Sequence, residues 1–331
     1  MRIVHLPTEI SGQMGILCTG LREAGLEVNG YNWFHSYLNY EGGTVSTDAF
    51  ELIKLLDPLI RHCDVFHFHN GNTLTPDHED LSWIARAGKK MIMHHWGNDV
   101  RTRWRTAELN PYELPDSYMT DEEIHRQLLQ LSRHIRHAIV QDAELVPHVR
   151  DYYEKVHVVP LAYPVRRVAP RFPGMEPGAD RRTLRIVHAP TDRSFKGSDA
   201  IERAIAELKR DFPIEWIVVE KKSHREARSI YSRADLIIDQ ILCGTYGVFS
   251  VEAMALGKPV VAYIREDVRS SLPEDLPIVN ANPDNIVEVL DRLLRQPERL
   301  SELGRACRAY AEKRHDVEIV VPQLISIYRQ L

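Results

Sequence analysis

The chain has 331 residues, of which 44% are hydrophobic and 27% charged, and this length exceeds what one ordinary hydrophobic core accommodates. Two domains are therefore expected. The mean hydropathy of -0.32 and the lack of a long apolar run argue against a membrane-spanning helix. Forty-two Lys and Arg against 47 Asp and Glu give a net charge of -5, which excludes nucleic-acid binding through bulk positive charge.

The cysteines and the N-terminus both favour a cytoplasmic protein. The four cysteines are widely separated and form no Cys-x-x-Cys pair, which is typical of reduced thiols in a cytosol. The apolar stretch at the N-terminus is broken by His5 and is too short for a signal peptide.

The first half of the chain alternates between strands and helices. A strand at 1–6 runs through a loop at 7–12 into a helix at 14–24, which Gly25 ends. Further strands are predicted at 64–69, 90–94, 138–141 and 156–160, and further helices at 49–63, 80–87 and 121–137. This alternation predicts a parallel sheet covered by helices on both faces.

A segment rich in proline and glycine, residues 163–180, has the composition of a connector, so the domain boundary is placed between residues 164 and 182. The alternation then restarts. Strands are predicted at 184–190, 216–219, 235–239 and 258–264, and helices from Ser198, at 225–233, at 250–256, from Pro283 with Asn282 as its cap, and after Pro297. The fold class is therefore α/β with two Rossmann-like domains.

Two loops of the second domain carry candidate chemistry, because open parallel sheets bind ligands beyond the carboxyl ends of their strands. The first is Thr191 to Gly197, in which Arg193 and Lys196 lie at the start of a helix, a setting that favours a diphosphate. Two solvated cations in a polar loop are the other interpretation.

The second loop is the segment CGTYGVFSVEAMALGKP, residues 243–259. Its glycines bring backbone amides close to a ligand, and a short helix begins there with unsatisfied N–H groups. Glu252 lies among apolar residues of this helix, where a carboxylate needs hydrogen-bond donors such as the hydroxyls of a ribose. A surface glutamate is the alternative.

With both loops present in this order, the chain resembles the GT-B fold glycosyltransferases of the retaining, family 4 type. The resemblance covers essentially the whole chain and is most specific in the second half. It implies an acceptor-binding domain at 1–164, a nucleotide-sugar-binding domain at 182–316, and a final helix at 317–331 that packs back on the first domain.

The resemblance also assigns roles to residues of the second domain. Arg193 and Lys196 would hold the donor diphosphate, and Glu252 would bind the ribose. An earlier glutamate is expected eight residues before Glu252, but position 244 is glycine, which removes a carboxylate expected near the donor sugar. Donor contacts are then predicted from the backbone of a short run: Thr245, Tyr246, Gly247, Val248 and Phe249.

In the first domain, the segment MHHWGNDVR, residues 93–101, resembles the histidine-containing Gly-x-Asp loop of related enzymes. His95 is the leading candidate for contact with the acceptor or the donor sugar and is grouped with the catalytic residues, with His94 and Asp99 on the acceptor side. Zinc binding by these histidines with His67 and His69 is the lesser alternative, and structural histidines are another. Gly12 would let the first loop approach the donor pyrophosphate.

The expected function is transfer of a sugar from a nucleotide-diphosphate donor, expected to be a UDP sugar, to a hydroxyl of a glycan, a lipid-linked molecule or a small molecule, with retention. Neither a metal nor a cofactor is expected, and the chain has no GxGxxG or GxxxxGK[ST] motif. Basic runs at 133–137 and 166–167 leave peripheral contact with the inner membrane face open. The alternatives are a catalytically silent GT-B protein that binds a glycan or a partner, and a nucleotide-sugar epimerase.

Overall fold

A computed structural model describes residues 1–40, 42–174 and 183–331. Within them the chain forms two compact units. The first comprises Met1–Leu109, Asp116–Ala162 and Val317–Leu331, and the second comprises Asn110–Pro115 and Tyr163–Asp316. The predicted connector is described as far as Gly174; residues 175–182, which include the predicted start of the second domain, lie outside the described residues.

Twelve strands form in the described residues: β1 (Arg2–Leu6), β2 (Glu27–Asn32), β3 (Val45–Ser46), β4 (Val65–His69), β5 (Lys90–His94), β6 (His137–Val140), β7 (Lys155–Val158), β8 (Leu184–His188), β9 (Ile214–Val218), β10 (Leu236–Ile238), β11 (Val260–Ala262) and β12 (Val279–Asn280).

The α-helices of the described residues are α1 (Gln13–Glu23), α2 (Ala49–Lys54), α3 (Leu56–His62), α4 (Glu79–Arg86), α5 (Arg103–Leu109), α6 (Asp121–Ser132), α7 (Val146–Val149), α8 (Arg193–Lys196), α9 (Ser198–Leu208), α10 (His224–Tyr231), α11 (Val248–Ala255), α12 (Glu266–Arg269), α13 (Ile286–Leu294), α14 (Glu298–Arg314) and α15 (Val317–Gln330). A 3-10 turn spans Val165–Arg167. No helix in this part of the chain combines the length and the apolar character that crossing a bilayer requires.

The first unit contains a seven-stranded parallel sheet in the order β3-β2-β1-β4-β5-β6-β7. Alternate side chains of its strands point to opposite faces, and both faces are apolar and buried. Val4 and Phe66 pack with residues of α2, α3, α4 and α6, whereas Ile3 and Val65 pack with residues of α1 and α15. The C-terminal helix is thus part of the core of the first unit.

The second unit contains a five-stranded parallel sheet in the order β12-β11-β10-β8-β9. Its core combines strand residues such as Ile186 and Leu236 with the apolar stripes of α9 and α13. The strand order of each sheet reverses once, between β1 and β4 in the first unit and between β8 and β10 in the second. Loops that follow the strands at such a point diverge and leave room for a ligand.

Three sequence predictions of element bounds were wrong. The single helix at 49–63 is two helices, because Pro58 has no N–H to donate to the carbonyl of Lys54. The helix at 121–137 ends at Ser132, since His137 already pairs with Ile92 in the sheet.

The third wrong prediction concerns Asn282 and Pro283. The helix begins at Ile286, because the side chains of Asn282 and Asn285 bond backbone N–H groups of a preceding turn. Strands β2, β3 and β12 were not predicted, since the buried positions of β2 include Gly30 and Asn32 and give no apolar alternation, and β3 and β12 have only two residues each.

Gly197, between α8 and α9, is a position in the second unit where we expect an added methyl group to be costly. Its φ is +76°, and a Cβ there would lie 2.7 Å from Cγ1 of Ile241. Gly174 has the same φ of +76°, and no atom of the described residues lies within 4 Å of its Cβ position. Gly197→Ala should lower the free energy of unfolding by about 3 kcal/mol and Gly174→Ala by about 1 kcal/mol, because only the first adds a steric overlap to the backbone strain. Urea unfolding measures both, and equal losses would contradict this account.

Candidate functional site

A buried ion pair joins the two loops that diverge in the second unit. Lys196, at the end of α8, donates from Nζ to Oδ1 of Asp239, which directly follows β10. Asp239 is fully buried and Lys196 nearly so. The second oxygen of Asp239 accepts from Oγ of Ser250 at 2.6 Å and from N of Gly247 at 3.4 Å. One carboxylate therefore ties together α8, the end of β10 and the start of α11.

The electrostatics of this group keep Asp239 ionised. Burial alone would raise the pKa of Asp239, but the ammonium of Lys196 and the hydroxyl of Ser250 outweigh it, and the pKa lies below its ordinary value. His188 at the end of β8 is neutral, since burial lowers its pKa to about 4. Its Nδ1 donates to the carbonyl of Ile238 at 2.8 Å, and its Nε2 accepts from Oγ of Ser198. The local charge thus resides on Lys196 and Asp239.

The N-terminus of α11 lies beside this ion pair. Nζ of Lys196 is 5.5 Å from the ring centroid of Phe249 in the first turn of the helix. Gly247 precedes the helix and provides no side-chain cap, so the first-turn amides are open to an external acceptor. An ammonium group and the uncapped end of a helix together attract an anion.

Glu252 is buried on α11 and does not lie on the surface. Its Oε1 accepts a hydrogen bond from Nε2 of His224 at 2.6 Å. His224 is the first residue of α10, which begins with a capping box between Ser223 and Glu226. Within the described residues, Oε2 of Glu252 has no hydrogen-bond partner. This carboxylate oxygen can accept a hydrogen bond from a ligand hydroxyl.

The loop before α11 has a conformation that requires glycine at position 244. Gly244 has a φ of +88°, and a Cβ there would lie 3.1 Å from Cβ of Arg265. Its carbonyl accepts from N of Arg265 at 2.9 Å, and the carbonyl of Thr245 accepts from the side chain of Gln240 at 2.6 Å. The hydroxyl of Tyr246 contacts Nε2 of His315 at 3.0 Å inside the unit. The loop therefore presents backbone groups, and the side chain of Tyr246 is not directed to a ligand.

The structure does not bring Arg193 to the buried ion pair. Its guanidinium is half-exposed and bonds Glu202 at 2.7 Å, with Glu220 at 3.5 Å and Asp199 at 3.9 Å. Arg193 and Lys196 lie three residues apart on one short turn, but their charges have different partners. Of the two predicted cations, Lys196 is the one beside the start of α11.

In the first unit, His95 is a structural element of its loop. Its Nδ1 contacts Asp99 at 2.7 Å and its Nε2 contacts the hydroxyl of Tyr153 at 2.8 Å, and all three side chains are buried. Asp99 also accepts from the backbone N–H groups of Trp96 and Gly97, and with His95 these bonds lower its pKa although burial alone would raise it. Both ring nitrogens of His95 are occupied, so the residue orders the 95–99 loop and has no nitrogen left for a ligand.

His94, its neighbour, belongs to a buried cluster at the carboxyl ends of three adjacent strands, together with His5, His67 and His69. The ring of His94 stacks on Trp96 with centroids 3.8 Å apart, and neither of its nitrogens has a hydrogen-bond partner among the described residues. Burial lowers the pKa of every member, that of His5 to about 3. The cluster is therefore neutral.

Neutrality fixes the direction of the hydrogen bonds in this cluster. The indole N–H of Trp96 can only donate, so Nδ1 of His69 accepts at 3.3 Å and its Nε2 carries the hydrogen. Nε2 of His69 then donates to Nδ1 of His5 at 3.0 Å. His5 donates to the hydroxyl of Tyr328 at 3.1 Å, and that hydroxyl donates to Nδ1 of His67 at 2.6 Å. The series ends at Nε2 of His67, a buried donor with no partner in the described residues.

The assignment of donors and acceptors in the histidine cluster decides whether its nitrogens can bind a metal ion. Ligand atoms of His5, His67 and His69 lie within 4.8 Å of one another, whereas His95, part of the zinc alternative, is not in this group. A metal ligand needs a free nitrogen lone pair. In the bonded arrangement each lone pair of the three rings accepts from a donor and each remaining nitrogen carries a hydrogen, so these residues do not fit a metal ion.

Gly12 begins α1 with a φ of +78°, and a Cβ there would lie 2.6 Å from the ring of Tyr40. The amides that follow are already bonded, because the carboxylate of Glu9 accepts from N of Met14 at 3.1 Å and from N of Gly15 at 2.7 Å. The close packing of the Tyr40 ring therefore explains why position 12 needs glycine. The predicted contact of Gly12 with a donor stays a prediction.

No protein-family model matches the chain. A curated relative, an MMP alpha-(1->4)-mannosyltransferase of Mycolicibacterium hassiacum, is 24% identical over 324 residues, which cover 88% of this chain and 70% of that protein.

Solved structures match over the whole chain. The Anabaena protein HepE in complex with UDP has a TM-score of 0.66 at 11% identity, with 100% of both chains covered. A glycosyltransferase of Rickettsia africae has a TM-score of 0.65 at 13% identity, covering 99% of this chain and 97% of that one. The chain has the GT-B fold. The predicted fold class and the resemblance to GT-B glycosyltransferases are confirmed.

Several residues of the GT-B chain's candidate site were missed from the sequence: Asp239, Ser250, His224, His5 and Tyr328. Asp239 had a usable signal, because an aspartate at the carboxyl end of a buried strand beside the strand-order reversal is a candidate by position alone. The others depend on partners at sequence distances of 11 to 323 residues. No local pattern identifies such pairs.

Because the buried histidines are neutral in the folded protein, we expect the protein to lose stability in mild acid. Their pKa values lie below the unfolded value of about 6.5, so unfolding takes up protons once the pH falls below about 6.5. The free energy of unfolding should fall by about 1.4 kcal/mol per pH unit for each such histidine between pH 6 and the folded-state pKa. Denaturant unfolding at pH 7.5, 6.0 and 5.0 measures this slope. His94→Gln should reduce the slope of the free energy of unfolding against pH by the contribution of one proton. The control His35→Gln, at an exposed position, should leave the slope unchanged. Identical slopes in the wild type and both variants would exclude the explanation.

Proposed function

We propose that this chain is a glycosyltransferase that moves a sugar from a UDP-sugar donor to an acceptor hydroxyl with retention of configuration. The observation that carries the proposal is the arrangement in the second unit, where Lys196, the uncapped start of α11 and the buried carboxylate of Glu252 lie on neighbouring elements. A similar fold in HepE with UDP, and 24% identity to a mannosyltransferase, support it.

The diphosphate would bind at Lys196 and the first-turn amides of α11. Lys196 is buried, so its attraction for a phosphate oxygen is weakly screened. The amides add donors whose position is fixed before the ligand arrives. As the bond between sugar and phosphate breaks, negative charge grows on the leaving diphosphate, and these groups offset it. The leaving diphosphate itself then helps to deprotonate the acceptor hydroxyl on the same face, which gives retention.

The ribose of the nucleotide would bind at Glu252. His224 holds Oε1 of this carboxylate, which leaves Oε2 to accept from a ribose hydroxyl. The sugar itself would contact the backbone of the loop at 244–247, because no side chain extends from Gly244.

In the first unit, the 94–99 loop is proposed to face the acceptor. His94 retains unpartnered nitrogens, while His95 and Asp99 hold the loop in place. The acceptor class proposed is a glycan, a lipid-linked molecule or a small molecule, with no nucleic acid and no metal or cofactor in the reaction. The four buried thiols favour a cytoplasmic location. The basic runs at 133–137 and 166–167 leave peripheral contact with the inner membrane face open.

One alternative has a specific observation in its favour. Gly244 occupies a position where retaining enzymes of this type have a glutamate, and its φ of +88° disfavours any side chain. A GT-B protein that binds a glycan or a nucleotide sugar without transfer fits that feature. Donor turnover separates the two functions.

The test is turnover of a panel of nucleotide sugars by wild type, Lys196→Ala and the double variant Lys196→Ala/Asp239→Asn. Wild type should release a nucleoside diphosphate and form a product whose anomeric configuration, read by proton NMR, matches the donor. Lys196→Ala should lose activity by about 100-fold or more, because a phosphate loses a charge-assisted contact.

The double variant separates phosphate binding from support of Asp239. It removes the buried carboxylate that Lys196→Ala leaves uncompensated, so it should fold better than the single variant and remain inactive. Recovery of activity in the double variant would mean that Lys196 only neutralises Asp239. Lys209→Ala, which removes an exposed lysine of the same unit, serves as the control and should retain wild-type rates.

Glu252→Gln should weaken binding of UDP by about tenfold, because a carboxylate accepts more strongly from a hydroxyl than an amide does. The variant should bind 2',3'-dideoxy-UDP as the wild type does, since that analogue lacks the hydroxyls in question. Isothermal titration calorimetry with the two ligands and the two proteins gives the coupling between Glu252 and the ribose. Equal losses for both ligands would assign Glu252 to the folding of α11 instead.

A further inference from the structure

Residues Asn110–Pro115 belong to the second unit although the chain on both sides of them belongs to the first. They follow α5 and precede α6 in sequence. Asn110 is buried and Tyr112 is half-buried. We call this segment the strap.

Asn110 holds the loop that leads into the proposed donor site. Its Nδ2 donates to the carbonyl of Leu242 at 2.8 Å and to the carbonyl of Cys243 at 3.3 Å. Its Oδ1 accepts from the backbone N of Tyr112 at 3.1 Å. Carbonyls only accept and an N–H only donates, so the orientation of this amide is fixed, and both of its donors are used on consecutive carbonyls.

Tyr112 attaches the strap to the body of the second unit. Its hydroxyl donates to Asp284 at 2.6 Å, and its ring packs edge-on against Tyr263 with centroids 5.2 Å apart. The ring also contacts the core that α9 and α13 form. The strap is therefore anchored independently of the bonds that Asn110 makes.

The loop held by Asn110 is bonded from its other side as well. The carbonyl of Gly244 accepts from N of Arg265, which follows β11, at 2.9 Å. Asn110 thus holds the carbonyls of residues 242 and 243 while Arg265 holds that of residue 244. Gly244 has a φ of +88° and no side chain to restrict its backbone, so the contacts of the neighbouring carbonyls help to fix its orientation.

We propose that Asn110 is a positioning residue for the donor-binding loop at 242–247. This inference rests on the proposed function, because the loop precedes the amides that would hold the donor phosphate and sugar. Those amides are effective only when their direction is set before the ligand binds. Loss of the Asn110 amide would let the carbonyls of Leu242 and Cys243 turn, and the peptide groups that follow would turn with them.

The deciding measurement is amide hydrogen exchange in the unliganded protein, which does not depend on any donor. The reporter is the amide of Arg265, whose hydrogen bond to Gly244 requires the loop to stay in place. Asn110→Ala should speed exchange at Arg265 by about tenfold or more, because local opening sets the rate. The amide of Tyr263, bonded to the carbonyl of Gln240 at 2.9 Å, is the internal control and should change by less than about twofold.

Tyr112→Phe is the matched variant in the same strap. It removes the bond to Asp284 and leaves the bonds to the loop carbonyls, so exchange at Arg265 should match wild type. In turnover assays, Asn110→Ala should raise the donor KM and lower kcat, and Tyr112→Phe should do neither. Unchanged exchange at Arg265 in Asn110→Ala would overturn the proposal, and so would equal acceleration at Arg265 and Tyr263, which indicates general loss of stability. Absence of turnover in wild type would instead count against the proposed function, because the exchange result is obtained without a donor.

Discussion

The buried ion pair between Lys196 and Asp239 is the interaction on which the second unit's candidate site depends. Removing two charges from water is costly, and the pair is maintained because Ser250 and Gly247 donate to the second carboxylate oxygen. The same bonds fix α8 and the first turn of α11 relative to β10. An ammonium group held in this way cannot move away from the helix start, so an anion that binds there meets a charge and a set of amides already in place.

In the first unit, the buried histidine cluster is held together by hydrogen bonds between neutral groups. Its histidine cluster, together with Tyr328 and Trp96, is a one-directional series of neutral hydrogen bonds that crosses from β5 through β4 and β1 to the C-terminal helix. The hydrogen bonds of the series form only if each of its histidines keeps its tautomer, so the series helps to specify how α15 sits on the sheet. The cluster lowers the stability of the folded protein in acid, because the histidines of the unfolded chain take up protons that the folded cluster does not bind.

Residues whose role depends on a short local pattern could be predicted from the sequence, whereas residues whose role depends on partners far away in the sequence could not. Lys196, Gly244 and Glu252 were found because each lies within a short pattern after a predicted strand. His95 shows the opposite case. Its loop pattern predicted a residue directed to a ligand, but Tyr153, 58 residues away, takes its second nitrogen. Asn110 had no signal at all, since nothing in its neighbourhood indicates that six residues between α5 and α6 fold with the other unit.

Gly244 connects the proposed function with the strap. A glutamate at this position would have to adopt a φ of +88°, and its Cβ would lie 3.1 Å from Cβ of Arg265, so the present loop conformation disfavours a carboxylate at 244. Under the proposed function, the loop would therefore contact the sugar through backbone groups at this point. A glycine has no side chain that could hold its backbone in place. The neighbouring carbonyls are bonded instead: Asn110 bonds those of Leu242 and Cys243, and the backbone N–H of Arg265 bonds that of Gly244. On this account the missing carboxylate and the additional strap contact are two parts of one arrangement, in which orientation of the peptide groups replaces the missing charge.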